Sequence, residues 1–145
     1  MSLSDFLIVY PRSDGFSKVR SALSINKFSN LKSDLKLLAL GFGALELIDK
    51  TIFENQPDLN IWNLLNRYLE YLNLIDEPQK LCASDVLSLF HSFFVNFIAL
   101  QGHENRIKSL GRTTISSYLN KVNNFVYADF NERLGSLQFL KEVIK

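Results

Sequence analysis

The chain is poor in most of the residues that mark a catalytic or secreted protein. It holds one cysteine, Cys82, among 145 residues. That excludes an internal disulfide and any zinc site built from several cysteines. A reducing cytosol is the natural setting, and the expected location is cytoplasmic. There are two histidines, His91 and His103, and neither has a second histidine at a metal-completing spacing. Three prolines and six glycines form no low-complexity tract, and no fixed-period repeat is present. Charge of one sign is also lacking: the formal net charge is +1, with a pI near 7.8. Any contact with nucleic acid or an anionic membrane must therefore use a local patch. The start, MSLSDFLIVYPRSD, lacks the basic n-region of a signal peptide. The most membrane-like run, Val86 to Leu100, is fifteen residues long and carries His91 and Asn96. That is short of the ~20 a spanning helix needs, so a buried helix and no membrane partner are expected.

What is present is apolar periodicity. Hydrophobic residues make up 47% of the chain, and one domain of this length can bury a core without a staple. The stretch Leu31 to Phe53, LKSDLKLLALGFGALELIDKTIF, carries Leu31, Leu35, Leu38, Phe42, Leu45, Ile48 and Ile52 at helical steps of three and four. A second set, Leu37, Leu40, Ala44 and Leu47, makes its middle apolar nearly all round, as in a buried central helix. Asn30 or Ser29 can cap it, with Asp34 near its positive end. Gly41 and Gly43 each cost roughly 1 kcal/mol of helix propensity relative to Ala, which suggests close approach of another helix.

Before it, Phe6 to Tyr10 is a short β-favouring run stopped by Pro11, and Ser13-Asp14-Gly15 signals a turn. Two strands are predicted, about 5–10 and 16–25, joined as a hairpin. After it, Pro57 breaks the pattern, and Asp58 or Asn60 starts a second helix with Leu59, Trp62, Leu65, Leu69 and Leu72 on its face. A third helix is predicted over about Lys80 to Gln101, striped by Val86, Leu89, Phe90, Phe93, Phe94, Phe97 and Leu100, with Gly102 as its C′ residue. His103 to Arg112 reads as a polar loop. A fourth helix starts near Thr113 or Thr114, and Leu137 to Ile144 makes a short closing one. The expected fold is mainly α: a compact helical bundle around a buried central helix, preceded by a short β-hairpin.

Little here points to catalysis. His91 lies among Phe90, Phe93 and Phe94, as a core histidine does, and Cys82 stands without a partner thiol or histidine. Gly41-Phe42-Gly43 lacks the third glycine and the preceding strand of a dinucleotide fingerprint. No enzyme activity, metal or cofactor is expected. The informative charges are basic. Arg106, Lys108 and Arg112 fall within seven residues, and Lys121 follows on the fourth helix. Arg12, Lys18 and Arg20 decorate the hairpin, and strict strand alternation puts Lys18 and Arg20 on one face. Such a face tracks phosphates, with Tyr10 and Phe16 available to stack on bases. Ordinary solvated surface charge is the competing reading.

The pattern from Phe28 onward resembles the helical part of RecO, the bacterial recombination mediator and DNA repair family. Three places carry it. One is FSNLKSDLKLLALGFGALELIDKTI followed by ENQPDLNIWNLLNRYLEYL, with its Phe28, Leu31, Asp34, Leu35 lead-in. Another is the Phe-rich FHSFFVNFIALQGH. The third is the closing Leu134, Ser136, Leu137, Phe139 and Leu140. The resemblance implies residues 1–28 as the remnant of an OB-type barrel and 29–145 as a RecO-like helical domain. It implies a barrel that is truncated, split off or degenerate, because only two strands are available, and no four-cysteine zinc module, because HENRIKSLGR stands in that place. It also implies binding of single- and double-stranded DNA, strand annealing, a RecR-like partner, and contact with the C-terminal tail of single-strand-binding protein. Arg12, Lys18, Arg20, Arg106, Lys108, Arg112 and Lys121 would then meet phosphate or the acidic tail. A helical protein-interaction module without direct DNA binding is the alternative.

Overall fold

Asp34 decides where the central helix begins. A computed structural model of the chain describes residues 3–9, 18–52, 58–103 and 114–144, and in it the expected helix over 31–53 is two helices. Helix α1 spans Ser29–Ser33 and α2 spans Leu35–Thr51, with Asp34 extended between them. The Asp34 carboxylate accepts from the amides of Lys36 (2.8 Å) and Leu37 (3.2 Å), which makes it the N-cap of α2. Neither Ser29 nor Asn30 caps the long helix. Asn30 sits inside α1, where its amide and that of Leu31 donate to Asn73 Oδ1 at 3.1 and 3.3 Å.

Four further helices follow: α3 (Leu59–Asn73), α4 (Ala83–Leu100), α5 (Ile115–Phe130) and α6 (Ser136–Val143). A 3-10 turn over Pro78–Lys80 precedes α4, so that helix starts later than its apolar pattern alone suggests. Asp58 caps α3 as expected, through the amides of Asn60 and Ile61. Gly102 closes α4 with φ +80°, a conformation that costs glycine little.

Helix α2 packs against every other helix, so the central placement holds. The face it buries differs from the first apolar stripe. Leu37, Leu40, Ala44 and Leu47 are fully buried, whereas Leu35 and Phe42 are 62% and 46% exposed. Facing them, Phe90, Phe93, Phe94 and Phe97 of α4 fill the centre of the bundle, and Phe94 meets Phe125 of α5 edge-on at 5.7 Å. Gly43 serves the close approach expected of it: a Cβ there would lie 3.0 Å from the Phe90 ring. Helix α4 is long and apolar enough to cross a membrane by length and composition. Its Val86, Phe90, Phe93, Phe94, Phe97 and Ile98 are instead buried in this core.

Strands β1 (Leu3–Val9) and β2 (Lys18–Asn26) pair antiparallel ahead of the bundle, with Phe6 opposite Ala22 and Val9 opposite Lys18. The ladder is irregular at two points. Ile8 pairs with Val19 and Leu7 with Ser21, so Arg20 is an inserted residue; Ile25 is another, between Ser24 and Asn26. Phe28 joins the strands to α1 in the left-handed region (φ 46°, ψ 55°), with its side chain buried. A non-glycine residue holds that conformation when its surroundings dictate it, and here the ring is anchored in the core.

Candidate functional site

Helices α3 and α4 cross so that their outer flanks leave a groove of about 310 Å³. Its apolar lining is Leu64 and Tyr68 of α3 with Leu89 and Phe93 of α4; Arg67, Tyr71, Ser92 and Asn96 form the rest. The helical period explains the set: Leu64, Arg67, Tyr68 and Tyr71 recur at steps of three and four and share one flank of α3. Tyr68 and Phe93 hold each other with ring centroids 4.6 Å apart and tilted by 32°.

Two features bear on this groove's chemistry. Arg67 is exposed and is the one charged side chain in the lining. The Tyr68 hydroxyl is buried, and among the described residues no group hydrogen-bonds it. Burial raises the Tyr68 pKa, so the phenol stays protonated and keeps a proton to donate. A buried hydroxyl without a partner costs about 1–3 kcal/mol, but this oxygen is closed to solvent, so the groove's accessible polar chemistry rests on Arg67. The Asn96 amide is occupied, donating to Ser92 O at 2.8 Å. The groove therefore suits an apolar or aromatic group that carries an acceptor or a negative charge.

The sequence-predicted residues are spread elsewhere. Arg12, Arg106, Lys108, Arg112, Tyr10 and Phe16 lie outside the described residues, and so does the turn at Ser13-Asp14-Gly15. Lys18 and Arg20 are on β2, where Arg20 is the inserted residue of the ladder. Lys121 is on α5, half-buried. The structure brings none of these three described residues to the α3–α4 groove. Arg67 was missed, although one signal was in plain view: it is the lone basic residue of LNIWNLLNRYLEYLN.

Other polar groups are accounted for structurally. His91 is half-buried and bonds the Tyr118 hydroxyl at 2.7 Å. The His103 ring stands edge-on to Phe125 and Phe130, 3.9 Å from the Asp129 carboxylate. The Cys82 thiol and amide both donate to Asp85 Oδ2 at 2.9 Å, and these bonds hold the Asp85 carboxyl below its usual range. Among the described residues no group of three His, Cys, Asp or Glu side chains is placed to hold a metal ion.

Against that geometry stands one curated likeness. The chain is 34% identical over 71 residues to a DNA repair protein RecO of Exiguobacterium sibiricum. The matched region is 49% of this chain and 27% of that protein, so the chain spans about a quarter of the length of the curated relative it matches. No family model matches the chain. No solved structure matches it. What the likeness carries is a RecO-like relationship for half of the chain, which points toward DNA repair and recombination.

Proposed function

We propose that this protein is a RecO-like mediator of DNA repair and homologous recombination, acting by binding and not by catalysis. The observation that carries the reading is the 71-residue similarity to a RecO protein. In this reading the protein is cytoplasmic, and it meets single- or double-stranded DNA, a RecR-like protein and the C-terminal tail of single-strand-binding protein. The α3–α4 groove supports the last of these. An acidic, aromatic tail would place its ring against Tyr68 and Phe93 and a carboxylate near Arg67. Phosphate contacts fall to the basic residues of the strand pair and of the segment before α5. In the full assembly the strand pair is the remnant of an OB-type barrel.

Two titrations test it. Labelled single-stranded oligonucleotide should bind at low salt, with affinity falling as salt rises by a log–log slope of about −0.7 per phosphate neutralised. A peptide ending in Asp-Phe should bind with an affinity that Arg67→Glu lowers about tenfold or more, the loss of one charge-assisted contact. No oligonucleotide binding even at low salt would remove the DNA role. Retained peptide binding would then favour the second reading, a helical interaction module. The groove itself favours that alternative, because its single base suits a peptide better than a nucleic-acid backbone.

A further inference from the structure

The apolar stripe of α2 that the core does not take stays on the outside of the bundle. Leu35 and Phe42 are exposed, and Leu38 and Leu45 are half-buried. At about 100° per residue these four and Asp49 fall within an arc of about 100°, opposite the buried Leu37, Leu40, Ala44 and Leu47. Phe139 of α6 flanks Phe42 and Leu45, and with Glu46, Asp49 and Lys50 they line an open groove of about 710 Å³. From Leu35 to Asp49 the face runs about 21 Å along α2, roughly four turns. Contiguous exposed apolar surface of this kind marks an interaction site.

The charge at one end of this face selects its occupant. Of the groove's three charged residues, Glu46 gives both carboxylate oxygens to the amides of Gly135 and Ser136, and Lys50 faces Glu132 at 3.6 Å. Asp49 is exposed and makes no ion pair among the described residues. It also stands in the last turn of α2, where the helix's own carbonyl ends are partly negative and a cation is the favourable neighbour. A nucleic-acid backbone is repelled there. A second copy of the stripe fits no better. Laid antiparallel it sets Leu35 against Asp49, and laid parallel it sets Asp49 against Asp49. We infer that the outward face of α2 docks an amphipathic helix of a partner protein, with apolar residues at steps of three and four along one face and a lysine or arginine at the end that meets Asp49. The inference goes beyond the proposed function, and the α2–α6 groove shares no residue with the α3–α4 groove.

The probe is a labelled peptide of about four helical turns, with leucines at those steps and lysines at one end, titrated with the full chain by fluorescence anisotropy. It should bind, and a peptide with the same leucines but glutamates in place of the lysines should bind about tenfold more weakly or worse. Asp49→Lys should reverse that preference, and Phe42→Ala should weaken both peptides about tenfold. Both variants alter exposed side chains and should keep the helical spectrum of the parent. Arg67→Glu should leave both affinities unchanged, which separates a failure here from a failure of the proposed tail site. No binding of the lysine peptide up to ~1 mM overturns the inference. Equal affinity for the two peptides also overturns it, as apolar adhesion alone, and so does a preference that Asp49→Lys leaves intact. A chain whose mass doubles with concentration and returns to 16.7 kDa on Phe42→Lys overturns it too, since a second copy then covers the face.

Discussion

Glu46 does more than its sequence position suggests. Its carboxylate leaves α2 and accepts from the amides of Gly135 (3.0 Å) and Ser136 (2.7 Å), so it caps α6 from another helix. Burial alone would raise its pKa. Hydrogen bonds from Ser136 and Gly135 and the nearby Lys50 charge outweigh that and bring it below its ordinary value of 4.5. A lowered folded-state pKa means the stabilisation is complete above about 4.5 and is lost as pH falls through the folded value. Glu46→Gln should therefore lower stability by about 1 kcal/mol at neutral pH, the usual worth of a cap. The gap from wild type should close as pH falls through the folded-state value, as read by urea melts at several pH values below 4.5. Nothing in the sequence marks a contact between residues ninety positions apart.

At the scale of elements, short and crowded helices depend on specific neighbours. Helix α1 is five residues long, too short to persist alone. Asn73 holds it by accepting from the amides of Asn30 and Leu31, and its own carbonyl accepts from Asn30 Nδ2 at 3.0 Å. Asn73→Ala should cost about 1 kcal/mol and speed amide exchange at residues 30 and 31. Gly43→Ala sets two effects against each other. Alanine gains up to ~1 kcal/mol of helix propensity, but its Cβ would sit 3.0 Å from the fully buried Phe90 ring. Overpacking costs about 1–3 kcal/mol, so the variant should melt at a lower temperature. The helices themselves were readable from period and caps: Asp58, Gly102 and the phenylalanine stripe of α4 fell where expected. The break at Asp34 was not, because Leu31, Leu35 and Leu38 keep the helical period straight across it. Nor was the buried face of α2, since both of its apolar sets satisfy the period. The phenylalanines of α4 choose between them, and that choice belongs to packing.

Over the whole molecule, the buried apolar residues among those described run from Phe28 to Ile144. The helices thus have a continuous core of their own, and residues 28–145 should fold without the strand pair. A cooperative melt and a helical circular-dichroism spectrum from that fragment would bear this out; a non-cooperative melt would mean the strands contribute to the core. The bundle and its hairpin were legible in the sequence, because both periods are local. The groove was not, because it exists only where Leu64 and Tyr68 on one helix meet Leu89 and Phe93 on another. The insertion at Arg20 in the β2 ladder was not legible either, because a sequence alone gives no register.

The junction at Phe28 carries a consequence for the placement of the strand pair. Only Lys27 and Phe28 separate the last residue of β2 from the first of α1, and Phe28 is fixed by its buried ring. Two residues span at most about 7 Å. The strand pair is therefore on a short leash, with almost no slack to reorient. The position of the strand pair is thereby set by the folded bundle.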